Sequence, residues 1–206
     1  MGNERLRAIL LIGPTGSGKT PLGEYFEREG WRGDRCAHFD FGAQMRRVAS
    51  GESVPDGLSA ADCAFIGDLL QSGALLEDEQ FHIAEKILHF FAEKREVGTD
   101  GYLLLNGLPR HAGQAADVDR VAAVELVIHL RCTPEMVHRR IRTDAGGDRA
   151  GRVDDDDRFV ARKLEIFRER TAPLLDHYRL LGVPVEEVEV TEETGPEQIW
   201  SRCTAE

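Results

Sequence analysis

The stretch GPTGSGKT, residues 13–20, decides the fold because it joins two segments of different character. The apolar run LRAILLI at residues 6–12 precedes it and predicts a buried strand, and residues 18–28 predict a helix. The stretch fits the pattern G-x-x-x-x-G-K-[ST] in full, and a position between a strand and a helix is the context that this pattern requires. Glycines let such a turn point successive backbone N–H groups at phosphate oxygens, beside the positive end of the helix.

The stretch is therefore predicted to be a phosphate loop (P-loop, or Walker A sequence) that binds ATP. Lys19 is expected to reach the β- and γ-phosphates, and the Thr20 hydroxyl to help hold Mg²⁺. A glycine-rich turn with an exposed lysine is the alternative, and the complete pattern argues against it. The loop alone does not name a reaction, since GTPases, motor ATPases and small-molecule kinases all use it. The residues expected to contact ATP are Gly13, Pro14, Thr15, Gly16, Ser17, Gly18, Lys19 and Thr20.

Composition narrows the class of protein and of ligand. The chain has 206 residues, of which 41% are hydrophobic and 31% charged, which suits one compact soluble domain. Its net charge of -11 argues against nucleic acid or an anionic membrane as partner. The four cysteines form no Cys-x-x-Cys pair, so we expect reduced thiols and no structural zinc. No apolar stretch approaches the ~20 residues of a membrane span and no secretory signal opens the chain, so a cytoplasmic protein is expected.

Predicted strands alternate with predicted helices along the whole chain. Further strands are predicted at residues 36–39, 102–105, 125–131 and 183–190. Further helices are predicted at residues 43–49, 59–71, 78–94, 112–121, 134–142, 154–181 and 196–203, with a kink or boundary at Pro173. This order predicts an α/β fold, in which a parallel five-stranded sheet carries helices on both faces. No repeat or linker divides the chain, so we expect one domain over residues 1–206, with ligands beyond the carboxyl ends of the strands.

Five further motifs follow the phosphate loop in order. They are FGAQMR at 41–46, GALLEDE at 73–79, GLPR with a later QA at 107–115, GRVDD at 151–155, and RTAPL with a tyrosine at 170–178. Over about residues 7–203 the chain thereby resembles the adenylate kinase family of nucleoside monophosphate kinases, which have the P-loop NTPase fold. The resemblance implies a core of residues 1–40, 80–143 and 153–206, a helical monophosphate-binding segment at about 41–79, and a short lid at about 144–152.

The resemblance also assigns roles to single residues. Arg46 and Arg110 would clamp the monophosphate, and Arg152 would approach when the lid closes, since fixed guanidinium groups stabilise a transferring phosphoryl group. Gln114 would read the base edge, because an amide offers both a donor and an acceptor. The remaining candidates are Gly107 and Phe41 as monophosphate contacts, and Arg142, Arg149, Arg162 and Lys163 as lid or phosphate contacts or solvated charges.

Four positions depart from the family pattern. Asn106 stands where the family usually carries an aspartate that helps hold Mg²⁺ through water, and an amide supplies no negative charge. Phe41 replaces a threonine that contacts adenine, and its ring could stack on a base or narrow the pocket. Asp144 and Lys163 replace arginines, and a lysine lacks the rigid fork of a guanidinium. Either metal binding is weaker and supported by other groups, or efficient catalysis has been lost.

The resemblance implies a magnesium-dependent transferase of nucleotide biosynthesis. It would pass the γ-phosphoryl group of ATP to a nucleoside monophosphate, with AMP as the leading candidate (ATP + AMP = 2 ADP), and act as a monomer. Two alternatives stay open. One is a P-loop kinase of another small metabolite, and the other is a nucleotide-binding module with degenerate catalysis.

Overall fold

The sheet is parallel throughout, as predicted. A computed structural model of the protein describes residues 5–98, 100–147 and 157–204. Within these ranges five strands form one sheet in the order β2-β3-β1-β4-β5. All neighbouring strands pair in parallel. The strands are β1 (Leu6–Ile12), β2 (Arg35–Asp40), β3 (Gly101–Asn106), β4 (Ala122–Arg131) and β5 (Val185–Glu189).

Helices connect the strands and account for most of the remaining chain. They are α1 (Lys19–Glu29), α2 (Phe41–Ala49), α3 (Ala60–Ser72), α4 (Phe81–Lys94), α5 (Ala112–Val121), α6 (Pro134–Thr143), α7 (Asp157–Ile166), α8 (Leu174–Leu180) and α9 (Pro196–Thr204). A short 3₁₀ turn, Asp78–Gln80, precedes α4. None of the helices that the structure describes is long and apolar enough to cross a membrane.

The helix predicted over residues 154–181 is divided in its described part. A π-helical turn, Phe167–Thr171, follows α7, and α8 begins only after Pro173. The Ala172 N–H donates to the Phe167 carbonyl at 2.8 Å, five residues back along the chain. The predicted boundary at Pro173 is therefore confirmed, since proline has no N–H with which to continue an α-helix.

Alternate residues of the central strand face two separate cores, one on each side of the sheet. Ala8, Leu10 and Ile12 of β1 point into a core built with α2, α3, α4, α5 and α8. Ile9 and Leu11 point into a second core built with α1 and α9. Side chains of a strand alternate between the two faces, so a strand that is apolar throughout must be covered on both. The predicted α/β class is confirmed.

The pairing register of β1, β2 and β3 brings the carboxyl ends of these three strands together. Asp40, the last residue of β2, is the register partner of Asn106, the last residue of β3. Asn106 is in turn the partner of Leu11, at the end of β1, where the phosphate loop begins. Ligands of open parallel sheets bind at this edge.

Candidate active site

The phosphate loop follows β1 and leads into α1. Gly16 and Gly18 have φ values of 76° and 96°, in the left-handed region that favours glycine. A Cβ on Gly13 would lie 2.7 Å from Ser17 Oγ and 3.0 Å from the Leu130 carbonyl oxygen, so a larger residue would not fit there. Ser17 is buried, and its hydroxyl donates to the Pro14 carbonyl at 2.9 Å. The loop is thus fixed by contacts that require these residue types.

The start of α1 is arranged to receive an anion. Gly18 occupies the N-cap position, and no described side chain caps this end of the helix. Uncapped N–H groups at a helix start are available to phosphate oxygens. Lys19 Nζ donates to the carbonyls of Gly13 and Pro14 at 2.7 and 2.8 Å, so its ammonium group already lies against the loop.

Arg140 of α6 supports the loop from outside, and reasoning from the sequence missed it. The side chain is buried, and its Nε donates to the Gly16 carbonyl at 3.1 Å. Another guanidinium nitrogen donates to the Thr191 carbonyl at 2.5 Å, which ties the loop to the segment after β5. The available signal was helical spacing, because position 140 lies three residues after the buried Val137 on the same face.

A cleft of about 240 Å³ opens beside the loop at the carboxyl edge of the sheet. Most of the predicted contacts converge there, although they come from separate parts of the chain. Apolar side chains of α2 and α3, including Met45, Leu69 and Leu70, line another part of it. The predicted residues that line the cleft are Gly13, Pro14, Thr15, Gly16, Gly18, Lys19, Thr20, Arg46, Asn106, Gly107, Arg110 and Lys163.

Two guanidinium groups in this cleft have no described counter-ion. Arg46 is exposed on α2, and Arg110 is half-buried in the segment after β3. Neither guanidinium donates a hydrogen bond or forms an ion pair within the described residues. Desolvation lowers the pKa of Arg110, and the charge of Asp40 acts in the opposite direction. An arginine stays charged at neutral pH, so the cleft presents fixed positive charge to an anion.

The backbone of Arg110 is held from two sides. Its N–H donates to Gln114 Oε1 at 2.7 Å, and its carbonyl accepts from Thr171 Oγ1 at 2.8 Å. Gln114 is fully buried, and its Nε2 donates to the Leu76 carbonyl at 2.7 Å. Both ends of this amide are therefore occupied within the protein, and the side chain positions Arg110. That Gln114 reads a base stays a prediction.

Phe41 does not reach the cleft. It is the first residue of α2 and is 2% exposed, and its ring stacks on Phe39 with the centroids 6.0 Å apart. The ring joins the core because burying an aromatic surface there is favourable. This placement corrects the expectation that Phe41 contacts a base.

Of the other basic residues predicted to contact phosphate, only some lie in the cleft or within the described residues. Lys163 of α7 is half-buried and lines the cleft, whereas Arg162 beside it is exposed and does not. Arg142 lines a separate, open depression between α6 and the start of α7. Arg149 and Arg152 lie outside the described residues, as does most of the predicted lid.

A second polar network, centred on Glu77, joins the end of the predicted monophosphate-binding segment to the core. Arg170 of the π-helical turn contacts both oxygens of Glu77, at 2.7 and 3.2 Å. These bonds lower the pKa of Glu77. The buried His111 lies 3.7 Å from Glu77 Oε2 and 3.1 Å from the Leu76 carbonyl oxygen. This network could not be predicted from the sequence, since its members lie in three distant motifs.

Three polar side chains meet where α1 begins and where β2 and β3 end. Thr20 Oγ1, Asp40 Oδ2 and Asn106 Nδ2 lie 3.2 to 3.3 Å from one another. Hydroxyl and carboxylate oxygens are hard ligands that Mg²⁺ accepts, directly or through water, and the Asn106 amide donates to both of them through Nδ2. No group of three or more His, Cys, Asp or Glu in the described ranges could hold a metal by itself. The residues therefore suit an ion that nucleotide phosphates also hold.

Comparison with known proteins identifies the family. No family model matches the chain. An adenylate kinase of Rhodopirellula baltica is 30% identical over 186 residues, which cover 85% of this chain and 83% of that protein. Adenylate kinases of Prochlorococcus marinus strains MIT 9303 and NATL2A are 28% and 27% identical, over 85% and 89% of this chain and 86% and 90% of their own lengths. The chain therefore belongs to the adenylate kinase family of ATP-dependent nucleoside monophosphate kinases.

Proposed function

We propose that the protein transfers the γ-phosphoryl group of Mg-ATP reversibly to AMP, which yields two molecules of ADP. The observation that carries this proposal is the convergence of a complete phosphate loop with Arg46 and Arg110 in one cleft. A reaction between two phosphate groups needs fixed positive charge on both sides of the transferred group. The relatives named adenylate kinase support AMP as the acceptor.

On the donor side, the phosphate loop and Lys19 would hold ATP. The lysine would exchange its contacts with the Gly13 and Pro14 carbonyls for phosphate oxygens. Magnesium would be held by the Thr20 hydroxyl and, through water, by the amide of Asn106, and when bound it offsets phosphate charge. Arg140 would keep the loop in place through its bond to the Gly16 carbonyl.

On the acceptor side, Arg46 and Arg110 would bind the monophosphate and align it with the γ-phosphate. Alignment of two bound reactants removes much of the entropic part of the barrier. The apolar side chains of Met45, Leu69 and Leu70 give a flat base a surface to pack against. Lys163 would contribute a further positive charge from α7.

Closure of the lid would complete the site. Arg152 would join the other cations around the transferred group, and closure would exclude water, so that ATP is not hydrolysed. The family resemblance supports a monomer that works in the cytoplasm.

A coupled assay for diphosphate formation tests the proposal. Mg-ATP would be offered with AMP, CMP, UMP, GMP and dAMP in parallel, over a range of magnesium concentrations, with Lys19→Met as the inactive control. Turnover with AMP far above that with the other monophosphates is the expected result. Faster turnover with another monophosphate would contradict AMP as the acceptor. If none were phosphorylated while ATP still bound, the kinase assignment would fail and a binding module would remain.

A further inference from the structure

The cleft contains a carboxylate, that of Asp40, which lies outside every motif that carries the family resemblance. We propose that Asp40 is the metal-positioning residue of this protein, and that it supplies from β2 the negative charge that Asn106 on β3 does not. The inference rests on the proposed function, because it concerns the magnesium ion that accompanies ATP.

The strand register places Asp40 where such a residue is needed. Asp40 and Asn106 are register partners at the carboxyl ends of β2 and β3. Asp40 Oδ2 accepts from Thr20 Oγ1 at 3.2 Å and from Asn106 Nδ2 at 3.2 Å. Thr20 is the phosphate-loop residue whose hydroxyl helps hold magnesium in proteins with this loop. The carboxylate therefore lies within one hydrogen bond of that hydroxyl.

The two oxygens of Asp40 have separate partners. Oδ1 accepts the Ala43 N–H at 2.8 Å and so caps the start of α2. Oδ2 is directed to the cleft, where it meets Thr20 and Asn106. A helix cap needs only one acceptor, so capping does not explain the second oxygen.

The charges of the residues in the cleft also support a metal-positioning role for Asp40. Among the described residues that line it, Asp40 alone carries a carboxylate. In phosphate-loop enzymes a carboxylate usually acts with the loop hydroxyl to hold magnesium. The ends of neighbouring parallel strands lie side by side. A carboxylate on either strand can therefore face the water molecules around the same magnesium ion. The pair Asp40 and Asn106 thus retains one negative charge at this edge.

The closest alternative is that Asp40 only balances Arg110. Its charge acts on the pKa of that guanidinium, so the two groups are near one another. They form no ion pair within the described residues, however, and Oδ2 is bonded to Thr20 and Asn106 instead. The alternative also predicts a different experimental result, since a partner of Arg110 would affect monophosphate binding and leave metal binding unchanged.

The test measures metal binding without catalysis. Mn²⁺ would replace Mg²⁺, and its binding in the presence of a non-hydrolysable ATP analogue would be followed by electron paramagnetic resonance. The variants are Asp40→Asn, the double variant Asp40→Asn/Asn106→Asp, and Asp176→Asn as a matched control on the exposed side of α8. Asparagine caps a helix about as well as aspartate, so Asp40→Asn should keep the fold, which urea unfolding would check.

We expect Asp40→Asn to weaken Mn²⁺ binding by about 10- to 100-fold, the usual effect of losing a group that orients a metal's ligands. The double variant should recover most of the loss, because it returns the carboxylate to the neighbouring strand. The control should bind Mn²⁺ as the wild type does. Unchanged binding in Asp40→Asn would overturn the inference. Equally weak Mn²⁺ binding by the double variant would overturn the inference too. The loss of binding would then come from an altered shape of the site and not from the missing charge.

The failure of this inference can be told apart from failure of the proposed function. A wild-type protein that forms no ADP, but whose Mn²⁺ binding depends on Asp40, refutes only the kinase reaction. A wild-type protein that forms ADP, with Mn²⁺ binding that does not depend on Asp40, refutes only the role of Asp40.

Discussion

Gln114 is the residue for which the family resemblance and the structure suggest different roles, and Gln114→Ala separates them. The side chain is fully buried, and it bonds to the Arg110 N–H and the Leu76 carbonyl, each at 2.7 Å. Alanine would leave both backbone groups without this partner. The Leu76 carbonyl would keep His111 Nε2 at 3.1 Å, whereas the Arg110 N–H would have no other described acceptor. An unsatisfied buried donor costs roughly 1–3 kcal/mol, so we expect a loss of this size. This is a considerable part of a typical free energy of unfolding of about 5–15 kcal/mol.

The same substitution should impair monophosphate binding indirectly. Gln114 holds the backbone of Arg110, so its loss should raise KM for every nucleoside monophosphate that the wild type accepts. A residue that only read the base would leave stability unchanged and would raise KM for the preferred monophosphate alone. Urea unfolding and steady-state kinetics with several monophosphates distinguish the two roles.

The control for Gln114→Ala is Gln71→Ala, which removes an exposed amide from α3. Surface substitutions of this kind usually stay within about 0.5 kcal/mol of the wild type. If Gln114→Ala also stayed within that range, the two bonds would not contribute to stability, and the positioning role argued from them would be refuted.

Three further predictions concern the loop, its support and a buried thiol. Lys19→Met should lower kcat by about 10²–10³-fold in the coupled assay, since the charge lies at the phosphate site. Arg140→Met removes charged donors to the Gly16 and Thr191 carbonyls, and should cost about 3 kcal/mol or more in urea unfolding and weaken ATP binding by calorimetry. Unchanged ATP affinity would contradict a supporting role. Burial raises the pKa of Cys36 to about 12. Iodoacetamide should therefore modify Cys36 slowly at pH 8, and faster as the pH rises or urea unfolds the chain, as followed by mass spectrometry; fast reaction in the folded protein would contradict this.

The sequence predicts the fold well where the apolar pattern agrees with the glycine and proline residues that end an element. Strand β1 matches its predicted bounds, because an apolar run ends abruptly at Gly13 and Pro14. Strand β4 begins at Ala122, three residues before its predicted start at residue 125. The sequence carries no residue that marks the boundary between the helix and this strand. Helix α5 ends at Val121 and passes into the strand with no glycine or proline between them, so only tertiary pairing with β1 fixes the boundary.

The sequence predicts the site less completely, because a motif identifies an element and not the direction of each side chain. Arg46 and Arg110 lie in the cleft as the motifs imply. Phe41 and Gln114 come from the same motifs and point inward, where core packing and backbone bonds hold them. Arg140 was missed for the opposite reason, since its carbonyl partners have no sequence signature of their own.

Asn106 shows why departures from a family pattern should be considered in pairs. Considered alone, the amide removes a negative charge from the metal site and suggests lost catalysis. The structure puts Asp40 beside it in register, with one oxygen on the phosphate-loop threonine. A carboxylate and an amide can be interchanged between two neighbouring strand ends. The reason is that a metal bound through water responds more to the total charge and the hydrogen-bonding groups around it than to which strand carries those groups. If Asp40 positions the metal as proposed, the amide at Asn106 has a carboxylate one hydrogen bond away, and the departure at Asn106 does not by itself indicate lost catalysis.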